Sequence, residues 1–349
     1  MTPAFVSPGP LDQLTGGYLF GRRIVDGLRH MGRAVDVFEL EGTFPDGDEA
    51  ALTSAARTLA ALPDGAVVVI DGLALPAFTE CLARETQRLR VIGLIHHPLS
   101  LESGLSASDA QRYAKIEARL WPLLRGILCP STATMHAVIA AGIAPARVAL
   151  APPGTDKPAS IPARTRRGPL HLLAVGTITP RKGHRVLVEA LARLRDLDWR
   201  LACIGSLERD PAEASAVRAA IATSGLQDRV ALLGERPHAD LAAAYRDADV
   251  FVLPSYHEGY GMAYAEALAH GLPIVATTAG SIPEVVPASA ALLVPPGDAL
   301  ALSGAVRSVL ADAGLRERLA AGAARAAAAL PDWPAAVRRW AEECDRLAA

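Results

Sequence analysis

Short runs of apolar residues alternate with longer stretches of helical periodicity along the whole 349-residue chain. In one longer stretch, Leu187, Ala190, Leu191 and Leu194 recur at the spacing of one helix face. Continuous apolar runs are typical of parallel strands that helices cover on both sides. The pattern predicts six strands in each half of the chain: Ala4–Ser7, Ala34–Glu39, Ala66–Asp71, Val91–His96, Gly126–Cys129, Val148–Ala151, His171–Val175, Arg200–Gly205, Arg229–Leu233, Val250–Pro254, Pro273–Thr277 and Ala291–Val294.

Two successive series of strands predict an α/β protein of two doubly wound domains, at residues 1–160 and 168–330. The boundary falls in residues 151–168, which contain four prolines and show no periodicity, as is typical of a linker. A last amphipathic helix is predicted within residues 331–349. Its apolar side predicts only that it packs against another part of the protein, and the N-terminal domain is one candidate.

Composition narrows the class of protein. Although 51% of the residues are hydrophobic, no run reaches the roughly 18 apolar residues of a membrane helix. The apolar start, Met1–Gly9, lacks the preceding basic residues of a secretory signal. A net charge of -2 gives no argument for a nucleic-acid partner. We therefore expect a cytoplasmic protein with reduced, buried thiols at Cys81, Cys129, Cys203 and Cys344.

One predicted helix, Asp109–Leu124, leaves a peripheral membrane contact open. Arg112, Lys115 and Arg119 lie beside a group of apolar residues that could rest on an anionic membrane. The alternative is a core-facing helix whose charges are solvated. The apolar group consists of Leu120, Trp121, Leu123 and Leu124.

A diphosphate site is predicted at the start of the second domain. The segment Val175–Gly183 follows a strand and leads into a helix, where free backbone N–H groups and the positive end of the helix favour an anion. Arg181 and Lys182 add two cations there. The alternative is a loop with two solvated charges. Gly16-Gly17, between the first strand and its helix, is a second phosphate candidate, although an ordinary turn explains it equally well.

The most informative feature is a pair of glutamates after the strand Val250–Pro254. Glu258 and Glu266 are separated by seven residues, and Gly271 ends the helix that carries the second. If most of this span is helical, the two lie about 12 Å apart along the axis. That distance suits two polar ends of one ligand better than a general acid and base acting on one bond.

Here the chain resembles a known family. Glu258 and Glu266, followed by Gly271-Leu-Pro-Ile-Val-Ala, resemble the E-x7-E region of the retaining glycosyltransferases of family 4, which have the GT-B fold. Further segments resemble other elements of this family in the same order: Pro152–Asp156, Val175–Gly183 and Gly280–Glu284. The resemblance implies two Rossmann-like domains that face a central cleft.

The resemblance also implies roles for the residues of the second domain. Glu266 would bind the ribose hydroxyls of a nucleotide, and Glu258 would lie at the sugar end. Lys182 would neutralise the diphosphate. Arg181 would replace an arginine that the family often carries at the position of Thr177. The backbone that would meet sugar hydroxyls and phosphate comprises Gly259, Tyr260, Gly261, Met262 and Ala263.

In the first domain the resemblance implies that Gly16 and Gly17 close over the donor. Family members often have a histidine after the fourth strand that contacts the transferred sugar. The register favours His96 over His97 for this role. Glu102 is a candidate acceptor contact. In the second domain, Glu235-Arg236 would lie near the base, with a solvated charge pair as the alternative.

The implied activity is a metal-independent hexosyltransferase that retains anomeric configuration. Its donor would be a nucleotide diphosphate sugar, with UDP- or GDP-sugars favoured, and no further cofactor is expected. The acceptor would be a glycan, a lipid-linked compound or a small molecule. Cysteines without a CxxC pair and the lone Asp247-Ala-Asp249 before a strand predict no metal site.

Other functions remain open on the residues alone. A GT-B epimerase or a non-catalytic sugar-nucleotide-binding protein would need the same donor residues. A phosphorylase would need a pyridoxal lysine site, for which we find no motif. A NAD-dependent oxidoreductase is disfavoured because no GxGxxG follows the first strand of either domain.

Overall fold

The computed structural model describes residues 3–161 and 168–349. It divides into two compact units, one formed by Met1–Gly154 with Pro331–Ala349 and the other by Thr155–Leu330. The strands are β1 Ala4–Ser7, β2 Asp36–Glu39, β3 Val67–Asp71, β4 Arg90–Leu94, β5 Gly126–Cys129, β6 Val148–Leu150, β7 Leu170–Val175, β8 Trp199–Ile204, β9 Val230–Leu232, β10 Val250–Leu253, β11 Ile274–Thr277 and β12 Ala291–Val294. The α-helices are α1 Gly16–His30, α2 Glu49–Ala61, α3 Leu82–Glu85, α4 Ala107–Leu120, α5 Thr132–Ala140, α6 His184–Ala192, α7 Pro211–Thr223, α8 His238–Asp247, α9 Met262–Ala269, α10 Ile282–Val285, α11 Ala299–Ala311, α12 Ala313–Ala329 and α13 Trp333–Ala348.

Each unit contains one six-stranded parallel sheet with surrounding helices, as the alternating pattern predicts. The strand order is β2-β1-β3-β4-β5-β6 in the first unit and β12-β11-β10-β7-β8-β9 in the second. In the first sheet the order reverses beside β1, and in the second it reverses beside β7. Ligands of such sheets bind beyond the carboxyl ends of the strands at the reversal point. A site is therefore expected at the loops that follow β1 and β3 in the first sheet and β7 and β10 in the second.

The strands occur where continuous apolar runs predict them, with small differences at their ends. Phe251 and Val252 are fully buried in β10, as expected of a strand with helices on both sides. The fourth strand ends at Leu94, so His96 and His97 lie in the loop beyond it. The second strand begins at Asp36, although the apolar run begins two residues earlier.

The last helix, α13, belongs to the first unit. It packs against α1 and against the strands β4, β5 and β6. The contact with α1 is close because Gly27 faces Val337, and a Cβ atom at position 27 would lie 2.4 Å from the Val337 Cγ2 atom. Trp340 and Cys344 are buried on the same side of α13.

We expect Gly27→Ala to lower the free energy of unfolding by about 1–3 kcal/mol, because overpacking forces the two helices apart. In an exposed helix the same change would instead stabilise by about 1 kcal/mol through helix propensity. Urea denaturation of Gly27→Ala and of the double variant Gly27→Ala/Val337→Ala tests this. The double variant should recover part of the loss, and equal loss in both would contradict the contact.

The helix considered for membrane contact packs one face against the core. α4 ends at Leu120, and a short 3-10 turn continues from Trp121 to Leu123. Leu120, Trp121 and Leu124 are buried in the core of the first unit. These three side chains are not available to a lipid surface, which favours the core-facing alternative for this helix. Among the described residues, no helix combines the length and the apolar composition needed to cross a membrane.

Candidate functional site

In the second unit, two loops at the carboxyl edge of the sheet are in direct contact. The turn after β7 contains Pro180–Lys182 as a 3-10 turn that ends at Gly183. The φ angle of Gly183 is 70°, and a Cβ atom there would lie 2.3 Å from the carbonyl oxygen of Pro254. The amide of Tyr256 donates to the carbonyl of Arg181 at 2.7 Å. Glycine at position 183 therefore allows the β7 turn to lie against the loop that follows β10.

This contact brings both cations of the turn to Glu258. Its carboxylate lies 2.7 Å from the Lys182 Nζ atom and 3.2 Å from an Arg181 guanidinium nitrogen. The Ser255 hydroxyl donates to the same carboxylate at 2.6 Å. Glu258 is only 5% exposed, so the two cations and the hydroxyl compensate a charge that is removed from water.

Burial alone raises the pKa of Glu258, but Lys182 and Arg181, with the hydrogen bonds from Lys182 and Ser255, lower it to about 2. The ordinary value is 4.5, so the carboxylate is ionised in the folded protein at neutral pH. A carboxyl group whose pKa is lower in the folded protein than in the unfolded chain stabilises the fold at pH values above its unfolded-state pKa. This stabilisation is lost as the pH falls through its folded-state pKa.

We therefore expect Glu258 to contribute on the order of 3 kcal/mol of pH-dependent stability, which disappears between about pH 5 and pH 2. Urea denaturation at a series of pH values should show this slope in the wild type. In Glu258→Gln the slope over the same window should be shallower. An identical pH dependence of the two proteins would contradict the ion-pair assignment.

The backbone around Glu258 is held by the turn at Gly280-Ser281. The Ser281 amide and hydroxyl both donate to the Glu258 carbonyl at 3.1 Å, and the hydroxyl also lies 2.8 Å from the Tyr260 carbonyl. A Cβ atom at Gly280, whose φ angle is 55°, would lie 2.4 Å from the Glu258 carbonyl oxygen. The segment Gly280–Glu284 thus positions the loop that carries Glu258.

Glu266 lies one turn inside the next helix, α9, which begins at Met262 after Gly261. Half of the span between Glu258 and Glu266 is therefore loop, and the axial distance that assumed a helical span does not apply. Residues Gly259–Ala263 form the loop and the first turn of α9, where backbone N–H groups lack intrahelical acceptors. Glu266 is half-buried. The Tyr245 hydroxyl donates to the Ala263 carbonyl at 3.2 Å, and burial together with the nearby Glu266 carboxylate raises the pKa of Tyr245 well above its ordinary value.

His184, the first residue of α6, is a buried group that sequence reasoning missed. It is 1% exposed, and neither ring nitrogen has a hydrogen-bond partner among the described residues. Burial lowers its pKa to about 3, and the nearby Lys182 adds to the shift. His184 is therefore neutral and adds no charge to the pair formed by Arg181 and Lys182.

In the first unit, the loop after β4 carries two histidines, each paired with a carboxylate. The His96 Nε2 atom lies 2.8 Å from an oxygen of Asp71, the last residue of β3, and the other oxygen of Asp71 accepts from the Leu73 amide. Burial alone lowers the pKa of His96, but Asp71 outweighs it and raises this pKa above the ordinary value. His97 pairs with Glu102 at 2.9 Å.

Glu117 of α4 holds the same loop. Its carboxylate accepts from the backbone amides of Leu99 and Ser100 and, at 2.6 Å, from the Ser100 hydroxyl. Burial raises the pKa of Glu117, and these hydrogen bonds oppose that shift. Gly17, at the start of α1, lies against His96, since a Cβ atom there would be 3.5 Å from the Nε2 atom.

Comparison with known proteins supports a family for the second unit. Residues 169–312 match the family described as glycosyl transferases group 1. This stretch covers β7 to β12 and both cations and glutamates described above. Residues 169–312 are called the group 1 domain below, after the family that they match.

Several curated proteins similar to this chain are glycosyltransferases. A D-inositol 3-phosphate glycosyltransferase of Pseudarthrobacter chlorophenolicus is 38% identical over 149 residues, which are 39% of this chain and 35% of that protein. One from Xylanimonas cellulosilytica is 37% identical over 204 residues, 54% and 48% of the two chains. A putative colanic acid biosynthesis glycosyltransferase of Escherichia coli K12 is 35% identical over 153 residues, 41% and 36%. The matches span between about a third and a half of these relatives.

Solved structures similar to the chain establish the fold. Sucrose-phosphate synthase from Thermosynechococcus elongatus superposes with a TM-score of 0.83 at 22% identity, over 99% of both chains. Anabaena HepE, solved in complex with UDP-glucose, has a TM-score of 0.77 at 19% identity, over 99% of both chains. The fold of this chain is GT-B, with two parallel six-stranded sheets and surrounding helices.

Within the group 1 domain, the structure brings Arg181, Lys182 and Glu258 together and places Glu266 in the helix that follows. Sequence reasoning missed that Glu258 pairs with both cations. It also missed Asp71. This residue ends a strand beside the reversal point of its sheet, where polar side chains commonly contact a ligand. Glu235 and Arg236 are exposed after β9, and Gly16 is exposed at the start of α1.

Proposed function

We propose that this chain is a retaining, metal-independent glycosyltransferase that moves a sugar from a nucleotide diphosphate sugar to an acceptor. The observation that carries the proposal is the cluster of Lys182, Arg181 and Glu258 within a group 1 domain. Two cations beside the first turn of a helix suit a diphosphate. UDP- or GDP-sugars are the proposed donors, and the UDP-glucose bound to the Anabaena neighbour supports the first.

In this proposal the residues of the group 1 domain divide along the donor. Lys182, Arg181 and the backbone of Gly259–Ala263 bind the diphosphate. Glu266 binds the ribose hydroxyls, and Glu258 accepts hydrogen bonds from the sugar. Burial strengthens each of these interactions, because charges act more strongly where water is excluded.

The reaction breaks the bond between the sugar anomeric carbon and the diphosphate oxygen, and it forms a bond from that carbon to the acceptor oxygen. The proton of the acceptor hydroxyl passes to the departing phosphate. Lys182 and Arg181 stabilise the negative charge that develops on the leaving group. His96, held by Asp71, contacts a hydroxyl of the transferred sugar. No protein nucleophile is required.

A transfer assay tests the proposal directly. UDP-, GDP-, ADP- and dTDP-sugars are screened by thermal denaturation, where a donor at 100 times its dissociation constant adds about 2.7 kcal/mol of stability. The stabilising donor is then incubated with candidate acceptors in excess EDTA. We expect transfer to continue in EDTA, because protein cations supply the positive charge. We also expect the product to retain the anomeric configuration of the donor. Activity that is lost in EDTA and restored by Mg²⁺ or Mn²⁺ would overturn the metal-independent mechanism. Conversion of the donor without an acceptor would indicate an epimerase.

A further inference from the structure

Tyr256 is an exposed aromatic residue beside the proposed diphosphate site. It lies in the loop after β10, two residues before Glu258. Its backbone amide donates to the Arg181 carbonyl at 2.7 Å, so Tyr256 is bonded directly to the turn that carries both cations. Tyr256 is 41% exposed, whereas Tyr245 and Tyr264 of the same unit are buried in the core. A large aromatic side chain next to the proposed site is therefore open to solvent.

The ring of Tyr256 rests on a glycine of another loop. Gly297 follows β12 and has a φ angle of 79°, which a residue with a side chain rarely adopts. A Cβ atom at this position would lie 3.1 Å from the Tyr256 Cε1 atom and 3.3 Å from its hydroxyl oxygen. The absence of a side chain at Gly297 thus lets the ring lie against the loop after β12. The backbone of Tyr256 is held by the β7 turn, and its ring is supported by the β12 loop.

The proposed reaction brings the acceptor to this same turn. The proton of the acceptor hydroxyl passes to the departing phosphate, so these two groups must be in hydrogen-bond contact during the transfer. Arg181 and Lys182 bind that phosphate in the proposed function. The part of the acceptor next to its reacting hydroxyl therefore lies close to the Arg181 turn, to which Tyr256 is bonded.

We propose that Tyr256 binds the acceptor by stacking on the apolar face of a pyranose ring, which makes the acceptor a carbohydrate. This inference rests on the proposed function and specifies the acceptor class that the proposed function leaves open. A pyranose has C–H groups on its faces and hydroxyls around its rim. It can therefore bury apolar surface on the phenol ring while its hydroxyls remain hydrogen-bonded. The neighbours Arg181, His257 and Glu258 are polar, which favours such a ligand over a hydrocarbon chain.

Acceptor kinetics test the role of the ring. The probes are the methyl pyranosides of glucose, galactose and mannose, used with the donor selected by thermal denaturation at saturating concentration. Tyr256→Ala should raise the KM for the pyranoside that accepts the sugar by roughly 5- to 30-fold, because the apolar contact between the two rings is lost. The kcat value and the affinity for free nucleotide diphosphate should change by less than about twofold. Tyr256→Phe and Tyr256→Trp keep a flat aromatic face, so their KM should stay within about 3-fold of the wild-type value.

Three further variants separate stacking from a structural role. Tyr256→Leu keeps an apolar side chain without a flat ring, so it should raise the acceptor KM by more than Tyr256→Phe does. Arg200→Ala removes an exposed side chain near the amino end of β8, at the opposite edge of the same sheet, and should leave the acceptor KM unchanged. Should Tyr256→Ala fold poorly, Gly297→Ala tests the same contact, because the added methyl group displaces the ring while Tyr256 is retained. It should also raise the acceptor KM.

Four results would overturn the inference and leave the proposed function standing, provided that the wild type transfers the sugar. They are an unchanged acceptor KM in Tyr256→Ala, an equal rise in Tyr256→Phe, an equal loss of nucleotide affinity in Tyr256→Ala, and transfer to farnesol but to none of the pyranosides. The third result would mean that Tyr256 supports only the Arg181 turn. If the wild type transfers sugar from no donor to any acceptor, the proposed function is wrong and the inference falls with it.

Discussion

Lys182→Met should lower turnover at saturating donor by on the order of 10²- to 10³-fold, the effect of removing one preorganised donor from a developing oxyanion. The Lys182 ammonium lies 2.7 Å from the Glu258 carboxylate, closer than the Arg181 guanidinium, and the Lys182 side chain is 14% exposed. Methionine keeps the length and apolar character of the stem, which packs near Gly176. The loss therefore reports the charge rather than the volume of the side chain.

Two further variants make the result specific. Lys115→Met removes the charge of an exposed lysine on α4 and should leave turnover unchanged. Lys182→Arg keeps the charge but changes its geometry, so it should recover part of the activity. Steady-state kinetics with the donor identified by thermal denaturation checks all three. Wild-type turnover in Lys182→Met would remove the electrostatic basis of the proposed reaction.

The fold was predictable because its signal is local. A strand covered on both faces needs a continuous apolar run, and runs such as Val250–Leu253 and Gly126–Cys129 occur at regular intervals. Strand ends were less certain. The apolar residues of β4 continue to Ile95, so the pattern extends this strand to His96, whereas the strand ends at Leu94. Periodicity does not show where pairing with the neighbouring strand stops.

The contacts within the site were not predictable from spacing. Lys182 and Glu258 are 76 residues apart. The sequence indicates only which strand precedes each residue, and not that the two side chains meet. Residue types identify two cations and two carboxylates, but their pairing depends on the turn at Gly183 and on the order of β7 and β10 in the sheet. The same holds for His96 and Asp71, since Asp71 ends β3 and His96 lies in the loop that follows the neighbouring strand, β4. Long-range pairs of this kind follow from topology, which the sequence indicates only in outline.

The ion pairs of Glu258 change what is expected when this residue is altered. In the structure its single negative charge lies against two positive charges, from Lys182 and Arg181. A diphosphate that binds these cations must compete with Glu258 for them. Glu258→Gln keeps the shape of the side chain and removes the charge. The local charge then becomes more positive by one unit, and an incoming diphosphate meets less repulsion.

We therefore expect Glu258→Gln to bind the free nucleotide diphosphate more tightly, by about 1–2 kcal/mol or roughly 5- to 30-fold, as a charge change at an effective dielectric constant near 20 implies. Turnover should fall by at least about 100-fold, because the neutral amide oxygen accepts weaker hydrogen bonds from the departing sugar than the carboxylate and does not stabilise its developing positive charge. Calorimetric titration with the nucleotide diphosphate and turnover measurements on the same preparations check both parts.

Glu266→Gln provides the matched comparison, since it makes the same chemical change eight residues along the chain. Glu266→Gln should weaken binding of the nucleotide diphosphate, because a hydrogen bond to a charged acceptor is stronger than one to a neutral amide. The two glutamine variants thus move nucleotide affinity in opposite directions. A purely structural role of Glu258 would lower stability, affinity and turnover together. If the stability of Glu258→Gln matches that of the wild type, unchanged or weaker nucleotide binding would show that Lys182 and Arg181 do not serve the diphosphate, since the loss of a competing carboxylate favours an anion at cations that keep their positions.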